Sequence, residues 1–553
     1  MGHRFNHPND RSLIMEYIEH DDNFIYLKAT TKEAAAIGAF FVKSKNAFRV
    51  PINFMTVNEI FEKTLDESLI PLMYQVGTNI QDIVALKNED DIKGNEYLRP
   101  YQRVDVEVIK KNGSVAVFNE QRTGKTPTIL TAVQEYLGQG IVVCPASLKL
   151  NWQKEFEKWV DNTSMTYVVS GSKSKRFKMY EDFANNKAKM LFMSYETLRA
   201  DITQIDFLLN EIDVLIIDEA HRLRNYASQQ SKALLQLRKI AKRVYPLTGT
   251  PAVNHPSDVF GILKILNPKK YPSYWQFIDR YFGYVEGRFG RDILDVRKDR
   301  ETELKLVLQE MSIQRKRKDV MSWIPKILSR KIYVDLDDSQ LRHIKKIKEE
   351  FMYGDNIIPN VIAQVTRLRQ AALDPALLDL TGKSAKTEFI KDFLEDNEGK
   401  VIIFSAFTSY LKKLAEIIPE AELLTGEMTT EQKTKAVDNI QNGNTRVLLS
   451  NIQVGGTGWT LDNVDTIIFT DKSFNPIDNE QAADRFVPTD PNKTYGAKEI
   501  ITLVGNVFIE KRIDTLLDEK INIIQFINDY GYNALVNQEG EENNNNARVF
   551  NKR

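Results

Sequence analysis

Two series of short apolar runs, none longer than a single strand, constrain this chain more than any other feature. The first is SVAVFN (114–119), GIVVCP (140–145), KMLFMS (189–194), DVLIID (213–218) and RVYPLT (243–248). The second is KVIIFS (400–405), AELLT (421–425), RVLLS (446–450), DTIIFT (465–470) and EIITLV (499–504). Polar and helix-patterned segments such as TTEQKTKAVDNIQNG (429–443) lie between the runs. Runs that are apolar at successive positions are buried on both faces, and strands alternating with helices pair in parallel. The expectation is therefore an α/β fold: two lobes of similar design, each a parallel sheet flanked by helices. At 553 residues the chain exceeds what one core can organise. The expected division is a small α+β accessory domain at 1–96, a first lobe at 97–253, helical insertions and a linker at 254–383, a second lobe at 384–515, and a C-terminal helix with a polar tail at 516–553.

The charge balance says little about partners. With a net charge of −1 the chain lacks the bulk basicity of many nucleic-acid binders, so any such surface must be local. Three clusters stand out: Lys173, Lys175, Arg176 and Lys178; Arg315 to Lys318; and Arg342, His343, Lys345, Lys346 and Lys348. In the last, Leu341, Ile344, Ile347 and Phe351 keep helical spacing, so its charges also read as the wet side of a helix. No apolar run approaches the length of a membrane span, and MGHRFNHPND is not a secretory leader. The single cysteine, Cys144, rules out an intrachain disulfide framework and fits a reducing compartment. These features predict a cytoplasmic or otherwise intracellular protein with no membrane partner.

Two segments carry chemistry. Thr123-Gly124-Lys125-Thr126 follows an apolar run and opens a helix-patterned segment. Backbone N–H groups at such a helix start face phosphate oxygens; Lys125 neutralises their charge and Thr126 supplies a hydroxyl to Mg²⁺. The full phosphate-loop pattern has glycine where Asn119 stands, which weakens this segment taken alone. Asp218-Glu219-Ala220-His221 then closes the strand DVLIID. Acidic residues at the carboxyl end of a parallel strand sit where nucleotides bind. Asp218 is placed to hold Mg²⁺, Glu219 to orient the attacking water, and His221 to report the nucleotide state.

With these segments in order, residues 97–515 resemble the Swi/Snf-like branch of the superfamily-two helicases, closest in style to annealing-helicase-like and phage-encoded members. YLRPYQ (97–102) resembles the adenine-contacting motif and QRTGKT (121–126) the phosphate loop. IVVCPASLKLNWQKEFEKW (141–159), SYETLR (194–199), DEAHRLRN (218–225) and LTGTPAVN (247–254) are similar to motifs Ia, Ib, II and III. IQRKRKDV (313–320) and RLRQAALDPALL (367–378) resemble branch-specific segments. IIFSAF (402–407), LLSNIQVGGTGWTLDNVDTIIFTDKSFNP (448–476) and QAADR (481–485) are similar to motifs IV, V and VI.

The resemblance implies two tandem RecA-like lobes, ATP and Mg²⁺ as cofactors, and ATP held in a cleft that closes and reopens. It assigns catalysis to Lys125, Asp218, Glu219, His221, Gln481 and Arg485. It assigns nucleotide binding to Gln102, Thr123, Gly124, Lys125, Thr126, Gly458 and Arg485, and the metal to Thr126 and Asp218. It implies DNA, duplex or branched, gripped through its backbone without sequence specificity by Ser147, Lys149, Asn151, Thr248, Thr425, Gly426, Thr457 and Asn475. A monomer is the default for such a motor. Two departures from the family pattern matter: Pro488 stands where a second arginine is usual, and Arg122 sits in the phosphate loop.

The expected function is ATP-dependent translocation that remodels branched DNA, by fork regression, branch migration or annealing. The alternatives are displacement of proteins from duplex DNA and nucleotide-gated DNA binding with weak hydrolysis. The stretch IGAFFVKSKNAFRVPINF (37–54) faintly resembles the substrate-recognition modules of annealing helicases. Its interleaved aromatic and basic residues suit nucleic acid, and equally suit the core of a small domain.

Overall fold

The structure, a computed structural model, describes residues 15–90, 92–160, 163–252, 255–287, 290–353, 356–455, 459–530 and 532–536. Thr457, Gly458 and the polar tail at 539–553 lie outside the described residues. The described chain opens with four antiparallel strands: β1 (Glu16–His20), β2 (Phe24–Lys28), β3 (Phe40–Val42) and β4 (Ala47–Pro51), in the order β1-β2-β4-β3. Alternation along β2 sends Ile25 and Leu27 into a core with Val50, Val57 and Ile60. Phe24 and Tyr26 pack on the other side with Ala47, where Arg49 and Lys45 lie over their rings. The helix Thr31–Ala36 starts at Thr30, whose side chain accepts from Glu33 N–H while Glu33 reaches back.

The first series of apolar runs forms the second sheet: β5 (Ala116–Val117), β6 (Gly140–Cys144), β7 (Thr166–Val168), β8 (Met190–Ser194), β9 (Ile212–Asp218) and β10 (Ala241–Leu247). After the hairpin β11 (Phe282–Gly287) and β12 (Gly290–Val296), the chain returns to that sheet as β13 (Ser312–Ile313). All seven strands are parallel, in the order β13-β5-β10-β9-β6-β8-β7. Two-sided burial explains the unbroken apolar runs. Ile141, Val143, Leu215 and Ile217 enter the core on one face; Val142, Cys144, Val214 and Ile216 enter the core on the other.

The second series repeats the design. β14 (Ile327–Val334) and the short pair β15 (Met352–Tyr353) and β16 (Asn356–Ile357) precede β17 (Val401–Ser405), β18 (Glu422–Leu424), β19 (Val447–Asn451), β20 (Thr466–Phe469) and β21 (Lys498–Gly505). The parallel sheet runs β14-β21-β20-β17-β19-β18. The α/β expectation of two helix-flanked parallel sheets and a small N-terminal α+β element therefore holds. The chain divides into two units, residues 1–320 and 321–553. The stretch 254–383 holds helices as expected, and also the β11–β12 hairpin and β14, which edges the second sheet.

Within the first unit, a buried ionic network ties the N-terminal element to the segment after β10. Arg280 donates Nε and Nη2 to Glu303 Oε1 and Oε2 (2.8 and 2.9 Å) and Nη1 to the carbonyl of Ile37 (2.7 Å). Arg300 reaches Glu59, Glu303 and the Ala36 carbonyl. Asn53 and Tyr281 complete the shell of Glu303. Each charge is paired and hydrogen-bonded, the condition for burying it.

Candidate nucleotide and nucleic-acid site

Strands β5, β10, β9, β6, β8 and β7 deliver their polar termini to one edge of a parallel sheet, and the first-unit candidates cluster there. After β5 the chain turns through Arg122 and Gly124, both at positive φ (68° and 79°), and enters the helix Lys125–Val133. Glycine suits position 124 because the backbone is left-handed, and a Cβ there would displace the Gln102 amide, which it would approach to 2.2 Å. The loop is held from behind. Tyr101 Oη donates to the Thr123 carbonyl (2.7 Å), and Gln102 Nε2 donates to the carbonyls of Thr123 (3.1 Å) and Gly124 (3.3 Å). Gln102 Oε1 accepts from Arg99 N–H (2.8 Å). Thus the expected adenine reader grips the phosphate loop itself. Thr123 is buried, and Lys125 Nζ donates to the carbonyls of Asn119 (2.8 Å) and Glu120 (3.2 Å).

Asn119 has a specific use. Its Nδ2 donates to Asp105 (2.7 Å), which Arg315 also grips through Nε (2.9 Å). Asp105 is fully buried, and burial pushes its carboxyl above the usual range despite Arg315. Glu120 N–H donates to the Arg315 carbonyl and Arg317 N–H to the Glu120 carboxylate. The basic cluster 315–318 thus turns two of its arginines toward the phosphate-loop scaffold.

Two places to the side in the sheet, β9 ends at Asp218. Burial, and then the Glu219 charge, push its carboxyl up to about 6, while the Trp152 hydrogen bond and the Lys125 charge pull it down. The fold has therefore brought the phosphate-loop lysine within electrostatic reach of the acidic pair. Glu219 is left-handed (φ 52°, ψ 48°), a conformation that costs a non-glycine residue about 1–2 kcal/mol. Such strain persists where surrounding contacts over-determine it. Tyr195 Oη supplies two of them, donating to the carbonyls of Asp218 (2.5 Å) and Glu219 (3.3 Å). Trp152 Nε1 donates to Asp218 Oδ2 (2.9 Å), and Glu219 N–H donates to Oδ1 (2.9 Å). His221 Nδ1 lies 3.2 Å from the Glu219 carboxylate and 3.3 Å from Thr248 Oγ1, linking the acidic pair to the end of β10.

The DNA-grip candidates are placed unevenly. Ser147 and Asn151 are exposed just beyond β6, at the start of the helix Lys149–Trp159. Lys149 is half-buried, with Nζ on the Val169 carbonyl (2.8 Å). Thr248 is buried and accepts from Thr250 N–H. In the second unit Thr425 is buried and Gly426 exposed, while Asn475 caps the helix Pro476–Asp484 through Ile477 N–H. Gln481 lies on that helix and Arg485 ends it, both half-buried. Pro488 is itself buried behind Phe486 and Val487. Of the Lys173–Lys178 cluster, Arg176 is paired bidentately with Asp201, leaving Lys173, Lys175 and Lys178 outward.

Sequence reasoning missed Tyr101, Asp105, Trp152 and Tyr195, and named Arg315 only as part of a basic cluster, not as the partner of Asp105. Trp152 and Tyr195 fall inside segments that were singled out, but no spacing announces a bond to a strand end 66 or 23 residues away.

Comparison with known proteins identifies the family. The model of the SNF2-related domain matches residues 36–377, more than half of the chain, and that of the helicase conserved C-terminal domain matches 385–487. The DNA annealing helicase and endonuclease ZRANB3 of Homo sapiens is 26% identical over 70% of this chain and 36% of its own length. An uncharacterized ATP-dependent helicase of Mycoplasma pneumoniae is 24% identical over 94% of this chain and 49% of its own. The chain thus spans between a third and a half of these curated relatives. The Sulfolobus solfataricus SWI2/SNF2 ATPase core in complex with dsDNA, at 23% identity, covers 82% of this chain and 98% of that one, with a TM-score of 0.38.

Proposed function

The chain belongs to the SNF2-related family, and from that premise we propose that it is an ATP-driven motor that translocates on DNA. The observation that carries the proposal is the joint geometry of Lys125 and Asp218. A lysine at a helix start and a carboxylate pair two strands away on the same sheet edge, with the lysine charge pulling down the proton affinity of Asp218, suit a nucleoside triphosphate. In this reading backbone N–H groups at the start of the helix bind the phosphates, Lys125 neutralises their charge, and Glu219 orients the attacking water. His221 relays the state of that carboxylate toward Thr248. Arg485 stabilises charge at the transferring phosphoryl group.

The donor set fits magnesium. Thr126 and Asp218 offer hard oxygens, and among the described residues no group of three or more His, Cys, Asp or Glu could hold a metal unaided. One or two protein oxygens, completed by phosphate and water, suit this ion. When bound it neutralises charge on the β- and γ-phosphates.

Ser147 and Asn151, with the outward Lys173, Lys175 and Lys178, offer a polar track for a phosphodiester backbone on the first unit. Branched DNA is the proposed substrate because annealing, the activity in the name of relatives that match 70% of this chain, joins strands where duplex and single-stranded DNA meet. The test is ATP hydrolysis without DNA and with single-stranded, duplex and four-way DNA. Stimulation of at least about tenfold by duplex, and more by branched DNA, is expected. Hydrolysis indifferent to every DNA would overturn the motor, and equal stimulation by plain duplex would leave a general translocase.

A further inference from the structure

Two ring polar groups reach the acidic pair from the first turns of the helices that follow β6 and β8, the first of which carries Asn151 of the proposed DNA track, and the chemistry proposed above gives them no role. Trp152 is one residue beyond Asn151 on the helix Lys149–Trp159. That helix presents Asn151 to solvent, and Trp152 is 2% exposed with its indole N–H on Asp218 Oδ2. Tyr195 begins the helix Tyr195–Leu208, next to the exposed Glu196 and about one turn from the exposed Arg199. It is fully buried, with its hydroxyl on the Asp218 and Glu219 carbonyls. One strut holds the Asp218 side chain; the other holds the backbone on both sides of the left-handed Glu219.

We infer that Trp152 and Tyr195 are positioning residues that transmit DNA contact on the loops after β6 and β8 to the geometry of Asp218 and Glu219. The inference rests on the motor reading above. The physical argument is one of leverage. A helix moves as a rigid body, so a shift of a few tenths of an ångström where Ser147 and Asn151 meet a phosphate is carried to the next residue's indole. The hydrogen bond from that indole fixes one carboxylate oxygen, and Glu219 N–H fixes the other. Asp218 therefore cannot rotate independently of the helix. Likewise the Tyr195 hydroxyl cannot move without changing the support of a strained residue whose carboxylate would aim the water. Neither ring touches a nucleotide in this account; both act through the carboxylates.

Conservative variants separate positioning from packing. Trp152→Phe and Tyr195→Phe each keep a ring in place and remove one donor. Each is expected to lower DNA-stimulated kcat about tenfold, the worth of one hydrogen bond to a charged or strained group, with the KM for ATP and the affinity for duplex changed less than about threefold. A second readout uses the wild-type protein without nucleotide: the indole ¹H–¹⁵N resonance of Trp152, identified by substituting the other four tryptophans. Adding a short duplex is expected to shift it, and substituting Ser147 and Asn151 by alanine to abolish the shift. A resonance that duplex leaves unmoved, together with full stimulation in whichever phenylalanine variants fold, would overturn the inference. If wild-type protein itself shows no DNA-stimulated hydrolysis, the motor reading fails instead, so the two failures are told apart by the wild-type control.

Discussion

At the residue scale, the assignments rest on side chains whose surroundings leave them little other use. Lys125→Ala and Glu219→Gln are expected to abolish ATP turnover while leaving the fold intact, as checked by steady-state hydrolysis and thermal unfolding; normal turnover in Glu219→Gln would remove its role. Arg485→Ala should slow hydrolysis roughly a thousandfold with ATP affinity nearly unchanged, the signature of a group that stabilises only the transition state. A silent Arg485→Ala would place the finger elsewhere, though not at residue 488, where a proline offers no charge. A different kind of residue is Lys498, buried with Nζ on the carbonyls of Asp462 and Val464. Burial lowers its ammonium to about 8, from an ordinary value of 10.5. Below pH 8 it is charged in both folded and unfolded chains, and the fold bears the full cost. Between pH 8 and 10.5 the folded state has lost the proton that the unfolded state keeps, so this group makes stability rise with pH, by about 1.4 kcal/mol per unit. Urea unfolding of wild type and Lys498→Met at pH 8 and 10 should show that slope only in wild type. The placement of Lys125 at a helix start and of Asp218 and Glu219 at a strand end was legible, because apolar runs and a fixed spacing announce it. Trp152, Tyr195 and Asp105 were not, because their partners come from distant segments and only the folded sheet brings them together.

At the scale of elements, all ten apolar runs are strands, and strands that were not legible in the two large sheets are short or partly exposed. β7 is half-buried throughout, β13 is two residues long, and β14 (ILSRKIYV) is largely exposed along its length at the edge of its sheet. A strand with one side in water need not be apolar, so the pattern that revealed the central strands is absent at the margins. β13 nonetheless matters, because Phe118 N–H donates to the Ile313 carbonyl just before the phosphate loop, and Arg315 follows at once. Arg315→Ala leaves the Asp105 carboxylate buried with Asn119 as its main remaining support. That change is expected to cost about 3–5 kcal/mol and to weaken ATP binding, measurable by denaturation and by nucleotide titration. If stability and affinity both hold, β13 is only a passenger on the sheet edge.

At the scale of the whole molecule, the opening strands, expected from sequence to belong to an accessory domain, are tied into the first unit by Arg280, Arg300 and Glu303. A chain beginning at residue 97 would lose the Ile37, Gly38 and Ala36 carbonyls, Thr56, Asn53 and Glu59 as partners of buried charges. It is expected to express poorly and to be cut rapidly within 256–311 under limited proteolysis. A truncated chain as protease-resistant as the full one would show that the network is dispensable. Among the described residues no helix is long and apolar enough to cross a membrane. The buried network also sets a rule for anyone building chimeras of this chain. The transplantable cassette is discontinuous in sequence, because the opening strands and the segment carrying Arg280, Arg300 and Glu303 are two halves of one lock. Exchanging the opening strands alone would put an unfamiliar edge against two buried guanidinium groups, so either half could be moved between relatives only together with the other.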